Sequence, residues 1–183
     1  MAVLTTAAVT AQVSPQSYKK RLRNRHVAAV KLPEEVVERV KKRAEELGLS
    51  LESYLIDVIT RDDDPEKASE AYVEASKSLL EEARGELEKG DVRQAAEKLW
   101  GAAALAIKAY AAWREGKRLS SHGELWRYKD VAAAELGEWV RDAWNAGNAM
   151  HTCFYEGWCT KEDVEDSLKK IERLINEIVS KIK

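Results

Sequence analysis

The nine residues NAMHTCFYE, at positions 148–156, carry the side chains best suited to acid–base chemistry. His151 titrates near neutral pH and is therefore a candidate general acid or base. Asn148, Tyr155 and Glu156 accompany it as candidate site residues. Two other interpretations stay open. One is a nucleotide or nucleic-acid pocket, and the other is a polar seam at a dimer interface or bundle end, where His and Tyr bury an apolar body with a satisfied polar tip.

The remaining histidines, His26 and His122, lie far from this segment in the chain. His122 follows two serines at the start of a predicted helix, which favours a role in capping or in a loop hydrogen bond. Arg118 precedes it by four residues, but it belongs to a different predicted helix from His151. No second histidine therefore lies on the segment of His151 to share acid and base roles.

Cys153 and Cys159 are the only cysteines. In a reducing cytosol they would stay free, although intracellular disulfides do occur in hyperthermophiles. The sequence leaves both states open. A closed zinc site needs four ligands at recognisable spacing, which these residues and His151 do not provide, so we predict no metal and no cofactor.

A basic segment near the N terminus is the strongest electrostatic feature. Residues 1–33 contain no acid, while the rest of the chain is net negative. The candidate nucleic-acid-binding residues in this segment are Lys19, Lys20, Arg21, Arg23, Arg25 and Lys31. Contacts from them to phosphates would make binding fall with salt. A solvated tail is the alternative interpretation.

Helices are expected to dominate the fold. Hydrophobic residues make up 45% and charged residues 34% of the 183 positions, with nine Gly and three Pro, which is typical of helical proteins. The preference for Glu, Lys and Arg resembles that of proteins from high-temperature organisms. No stretch approaches the ~20 apolar residues of a membrane helix, and the N terminus has the wrong charge order for a secretory signal. We expect a cytoplasmic protein.

Residues 26–62 predict a small strand-helix-helix module. The β-branched run HVAAVKLP ends at Pro33, which suits a helix start. Gly48 is the expected C-cap of the first helix, and Ser50 is placed to cap the second. The positions expected to be buried are Val36, Val37, Val40, Ala44 and Leu47 in the first helix, and Leu51, Tyr54, Leu55, Val58 and Ile59 in the second.

Residues 65–183 predict an up-and-down bundle of four to five helices, and residues 1–25 a flexible basic leader. Asp64 and Pro65 mark the first bundle helix. The second helix, after Gly90-Asp91, is apolar nearly all round and belongs at the centre of the bundle. A break is expected near Leu136-Gly137, and Thr160 begins the last helix with Asp163 as a capping-box partner.

The order of elements in residues 26–62, with VKLP before the first helix and a Gly-x-Ser turn before the second, resembles the ribbon-helix-helix module of DNA-binding repressors and antitoxins. This resemblance implies dimerisation by strand pairing, with alternate strand residues in the major groove. Those residues would be Val27, Ala29 and Lys31. Only Lys31 could hydrogen-bond strongly to a base edge.

Four segments of the second half carry a further resemblance. They are AYVEASKSLLEEARGELEKGD (71–91), RQAAEKLWGAAALAIKAY (93–110), SSH (120–122) and NAMHTCFYEG (148–157). Together they resemble the archaeal PaREP family, whose domain belongs to the HEPN-like helical bundles. The resemblance covers roughly residues 26–183 and implies an all-α, HEPN-like bundle that forms a homodimer in an archaeal protein.

The same resemblance indicates what a ribonuclease would require. HEPN ribonucleases carry an arginine shortly before a histidine on a late helix, and two such motifs meet across a dimer for acid–base chemistry and phosphate stabilisation. His151 stands where the histidine is expected. Ala146, Asn145 and Trp144 occupy the positions expected for the arginine, and Arg141 lies about 15 Å away along a straight helix.

The sequence therefore favours a noncatalytic, dimeric protein that binds nucleic acid or regulates, of the kind found in toxin–antitoxin pairs. One alternative is a metal-independent HEPN-type ribonuclease that uses His151. The other is a protein–protein interaction module without nucleic-acid binding.

Overall fold

The computed structural model describes residues 31–182, and all regular structure in this range is helical. The helices are α1 (Glu34–Leu47), α2 (Leu51–Ile59), α3 (Pro65–Lys89), α4 (Val92–Glu115), α5 (His122–Leu136), α6 (Trp139–Glu156) and α7 (Lys161–Ile182). Residues Glu35–Lys183 form one compact unit. Within the described range, we find no helix with the length and apolarity required to cross a membrane.

The prediction of a strand-helix-helix module is wrong for the part of the chain that the structure describes. Its two helices exist as α1 and α2, but residues 31–33 have no regular structure, and no strand occurs within 31–182. A strand is stable only where a neighbouring strand satisfies its backbone hydrogen bonds, and the described residues supply none. Residues 26–30, including Val27 and Ala29, lie outside the described range.

The predicted bundle is confirmed as five helices, α3 to α7, whose starts follow local signals. Four helices begin after a side chain that accepts a backbone N–H: Ser50, Asp64, Asp91 and Ser121. The last helix begins with the predicted Thr160 and Asp163 pair, in which the Thr160 N–H donates to the Asp163 carboxylate over 2.8 Å. The predicted break between α5 and α6 lies at Gly137.

Helix α4 is the central helix of the bundle, as predicted. Every residue from 99 to 112 is buried, and α4 contacts α3, α5, α6 and α7. The contact with α6 is close because Gly147 has no side chain. A Cβ atom at Gly147 would lie only 2.8 Å from the Cβ of Ala103, so a larger residue there would push the two helices apart.

Helix α2 packs through its polar side, contrary to the prediction that its apolar side is buried. Val58 and Ile59 are 42% and 71% exposed. The reason is Lys108 of α4, which is wholly buried and forms an ion pair with Asp57 of α2. The Tyr72 hydroxyl also donates to Asp57 over 2.9 Å. A buried ammonium requires a counter-charge, so α2 turns its carboxylate toward the bundle.

The apolar face predicted for α1 is also only partly buried. Ala44 is the only buried residue of this helix, whereas Val36 is 41% exposed. Helical spacing correctly predicted that α1 is amphipathic. How deeply its apolar face is buried depends on its packing distance from the bundle, which the spacing does not determine.

Candidate functional site

Aromatic rings from three helices meet around the central helix. We call this group the histidine–tryptophan cluster; its members are Trp100 of α4, His122 and Trp126 of α5, and Trp144 and His151 of α6. The ring centroid of Trp100 lies 5.2 Å from that of His122 and 4.8 Å from that of His151. The two histidine centroids are 5.9 Å apart. The structure therefore brings together two histidines that are distant in sequence.

His122 has both ring nitrogens engaged. The Trp126 indole N–H donates to its Nε2, and its Nδ1 lies 3.4 Å from the carbonyl oxygen of Gly48. Since an indole nitrogen only donates and a carbonyl oxygen only accepts, these partners assign Nε2 as the hydrogen-bond acceptor and Nδ1 as the donor. His122 therefore orients the cluster, and it has no free nitrogen with which to exchange a substrate proton. Its predicted loop hydrogen bond is confirmed.

Gly48 ties the turn between α1 and α2 to His122. Its φ is +66°, and a Cβ there would lie 3.0 Å from the Cβ of His122. Glycine is therefore required at position 48 for two reasons. It adopts the left-handed backbone conformation that ends α1, and it leaves room for the imidazole of His122. This contact couples the start of α5 to the α1–α2 segment.

His151 is half-buried and is chemically the more available histidine. Neither of its ring nitrogens has a hydrogen-bond partner within residues 31–182. Burial, and secondarily the neighbouring His122, lower the pKa of His151 below its ordinary value. The ring is therefore neutral at pH 7, with a lone pair able to accept a proton or a hydrogen bond.

Tyr155 extends the cluster to the surface. Its ring centroid is 5.2 Å from that of His151, and the side chain is 53% exposed. Partial burial, followed by the charges of Glu45 and Glu97, raises the pKa of Tyr155. Burial also raises the pKa of Glu97, with Glu52 as a further cause. The two carboxylates that act on Tyr155, those of Glu45 and Glu97, would also repel a phosphate at the exposed end of the cluster.

The other predicted site residues are less closely associated with His151. Asn148 is half-buried and Glu156 is exposed, and no hydrogen bond in the described structure joins either side chain to His151. Lys31 is exposed. The predicted nucleic-acid-binding residues that lie outside the described range are Lys19, Lys20, Arg21, Arg23 and Arg25.

The arginines considered from the sequence are engaged elsewhere. Arg141 pairs with Asp130 over 2.8 Å and also with Glu138. Arg118 donates to the backbone carbonyl of Asp63 over 2.7 Å. Neither guanidinium is directed at the α6 histidine by these bonds, so the described chain does not assemble an arginine–histidine pair from them.

The sequence reasoning missed the arginine that does reach the end of α6. Arg93, near the start of α4, donates from Nε and Nη2 to the Phe154 carbonyl oxygen over 2.9 and 2.6 Å. Its guanidinium also lies 5.7 Å from the centroid of the Phe154 ring. A cation at a helix C terminus is favourable. Arg93 therefore caps α6, a role that only the packing of α4 against α6 reveals.

Cys153 and Cys159 form a disulfide between the end of α6 and the residues before α7. Their Cα atoms are 5.6 Å apart, and Cys153 is fully buried. Of the two states that the sequence left open, the structure shows the bridged one. The sulfur atoms are thus not available as thiolate ligands, and no group of three or more potential metal ligands is found within the described residues.

Comparison with known proteins identifies a family. A family model described as the archaeal PaREP1/PaREP8 family matches residues 71–175, which include most of α3, all of α4 to α6 and most of α7. No curated protein and no solved structure matches the chain.

Proposed function

The chain belongs to the archaeal PaREP1/PaREP8 family, and we propose that it is a noncatalytic nucleic-acid-binding or regulatory protein that contacts nucleic acid through the basic residues near its N terminus. The observation that carries this proposal is the segregation of charge. Residues 1–33 hold six Lys or Arg and no acid, although the whole chain has a formal net charge of -2. A phosphate backbone would therefore be attracted to one segment and repelled by the remainder.

The helical part supports this assignment because many of its cations are already neutralised. Lys98 lies between Glu52 and Glu82, at 3.3 Å from the latter. Arg114 pairs with Glu115 and Glu135. Cations held in this way contribute little to phosphate binding, so the acid-free N-terminal segment should contribute most of the attraction.

We also propose that the bundle is HEPN-like and that the protein acts as a homodimer, as in regulatory toxin–antitoxin pairs. The supporting observation is the order of the bundle helices, in which His151 lies late in the fourth helix, α6. A dimer would present two basic segments to one nucleic acid. Binding would then be stronger and more dependent on salt than in a monomer.

The proposal is tested by the salt dependence of binding to labelled RNA and duplex DNA. Replacing the five basic residues with glutamine should remove most of the binding and flatten the slope of log K against log salt, by about 0.7–0.9 for each lost phosphate contact. The residues to change are Lys19, Lys20, Arg21, Arg23 and Arg25.

A control variant of equal charge change can be made in the helical part. It replaces with glutamine five exposed cations for which no ion pair is seen: Arg39, Lys42, Arg61, Arg127 and Lys169. This variant should keep the affinity and slope of the wild type to within a few fold. Equal losses in both variants, or wild-type binding without a salt slope, would contradict the proposal. Absence of any binding would favour a protein–protein interaction module instead.

A second candidate is a metal-independent HEPN-type ribonuclease that uses His151, and one observation favours it. The imidazole of His151 is neutral and without a hydrogen-bond partner in the described chain, beside a second histidine. The carboxylates near Tyr155 and the engaged nitrogens of His122 count against it. Purified protein should therefore leave RNA intact in the presence of a chelator. If the wild type cleaves RNA and the His151→Ala variant does not, the protein is a ribonuclease and the noncatalytic proposal is wrong.

A further inference from the structure

An open groove of about 650 Å³ lies between α6 and α7, and none of its lining residues belongs to the histidine–tryptophan cluster. Its floor is apolar and contains Ala146, Ala149 and the buried Met150. Trp158, in the connection between the two helices, forms part of the wall and is 51% exposed. A tryptophan half-exposed beside an apolar floor is typical of a binding surface rather than of a structural core.

The rim of the groove is acidic. Asp142 and Glu162 line it and have no ion-pair partner among the described residues. Asp166 also lines it but is neutralised by Lys170 at 2.7 Å. Asp163 caps the start of α7 while keeping its negative charge. The groove therefore carries an excess of negative charge above an apolar floor.

We propose that this groove binds a lysine- or arginine-rich segment of a protein partner. Charge complementarity selects the occupant: basic heads would pair with Asp142 and Glu162, while their methylene stems or an adjacent apolar side chain would cover Trp158. The volume exceeds what one small cation fills. Asn145 offers an amide that has no hydrogen-bond partner within residues 31–182 and could bind the backbone of a peptide. A nucleic acid is disfavoured because its phosphates would meet the same carboxylates.

The disulfide helps to position the binding surface. Cys159 directly follows Trp158, and its bridge to Cys153 joins the connection to the last turn of α6. The indole is thus held between two fixed points, Gly157 at the end of α6 and Cys159. Restricting the indole in this way reduces the entropy lost when a partner binds.

The experiment measures binding of a fluorescently labelled peptide, in which lysine and leucine alternate, to the full chain by anisotropy. Trp158→Ala should weaken binding by at least about tenfold, as for a hot-spot residue. The double variant Asp142→Asn with Glu162→Gln should weaken it by about fivefold and reduce its sensitivity to salt. A peptide with glutamate in place of lysine should not bind.

Matched controls separate the groove from general effects of charge and of exposed tryptophan. Trp113 is 42% exposed on α4 and does not line the groove, so Trp113→Ala should bind the peptide like the wild type. Asp62→Asn with Glu70→Gln removes two exposed carboxylates outside the groove and should also leave binding unchanged. The nucleic-acid affinity of the groove variants should not fall, which distinguishes this surface from the basic segment.

Three outcomes would overturn the proposal. The first is failure of the lysine–leucine peptide to bind the wild type. The second is equal weakening by the groove variants and by their controls. The third is self-association of the protein that depends on concentration and is abolished by Trp158→Ala, which would assign the groove to a second copy of the chain.

Discussion

The two sides of helix α6 differ in whether the aromatic side chains near them are buried or exposed. One side packs against α4 and α5, where Trp144 is fully buried in the histidine–tryptophan cluster and Gly147 permits close helix contact. The other side faces α7 and supplies Ala146 and Ala149 to an open groove beside the half-exposed Trp158. Tryptophan is thus a core residue on one side and a surface residue on the other.

The difference teaches where stability and recognition are located. Burial of a large aromatic ring removes apolar area from water and stabilises the fold, whereas an exposed ring gains that energy only when a partner covers it. The cluster side also holds His151, which of the two histidines in the described chain has the chemically available imidazole and contacts neighbouring aromatic rings. The groove side has accessible carboxylates and no buried titratable ring. Mutation, reduction of the disulfide and a change of pH should therefore alter the free energy of unfolding differently on the two sides.

The largest contrast is expected between Trp144→Ala and Trp158→Ala. Loss of the buried ring of Trp144 should lower the free energy of unfolding by about 3–5 kcal/mol, because it leaves a cavity in the core. Its indole N–H has no hydrogen-bond partner among the described residues, so the mutation removes no hydrogen bond seen there. Loss of the exposed ring of Trp158 should change the free energy by no more than about 0.5 kcal/mol. Urea unfolding followed by circular dichroism measures both, and similar losses would remove the distinction between the two sides.

An intermediate effect is expected from the disulfide, which links the last turn of α6 to the groove. The bridge closes a short loop, with a sequence separation of six residues, for which chain entropy predicts about 2 kcal/mol of stabilisation. Addition of a phosphine reductant should therefore lower the free energy of unfolding of the wild type by this amount. Cys159→Ser should show the reduced value and not respond to the reductant. If the oxidised and reduced proteins have the same free energy of unfolding, the Gly157 C-cap alone fixes the connection between α6 and α7.

Helix ends were predictable from the sequence because their signals are local. Ser50, Asp64 and Thr160 each form hydrogen bonds within the next three residues, so the residue types at these spacings are sufficient evidence. The central position of α4 also followed from its own composition. The face that α2 buries did not, since it depends on the pairing of Asp57 with Lys108, which is distant in sequence.

The candidate site was predictable only in part, for the same reason. His151 and Tyr155 lie one helical turn apart, and their ring contact agrees with that spacing. The contact of His151 with His122 and Trp100 results from the packing of three helices, and a single sequence carries no signal for it. Arg93 was overlooked because its bond to the Phe154 carbonyl joins two helices at their ends. The predicted basic residues from Lys19 to Arg25 lie outside the described range and remain a prediction.

The smallest of the three effects concerns pH and belongs to the cluster side alone. Burial and the neighbouring His122 lower the pKa of His151 in the folded protein, whereas in the unfolded chain it should be near the ordinary value of about 6.5. The fold therefore favours the neutral ring. Its contribution to stability is fully present above the unfolded pKa and is lost as the pH falls below about 6.5 toward the lower folded pKa.

His151→Gln should remove this dependence. Between about pH 7.5 and about pH 5, the free energy of unfolding should decrease less in the variant than in the wild type, while Trp158→Ala should follow the wild type. The carboxylates Glu45 and Glu97 near Tyr155 remain in all three proteins, so their titration cancels in the comparison. Identical pH profiles for His151→Gln and the wild type would mean that solvent reaches the imidazole of His151 freely. Its unpartnered nitrogens would then be hydrated rather than held ready for a ligand, and the ribonuclease alternative would lose the observation that favours it.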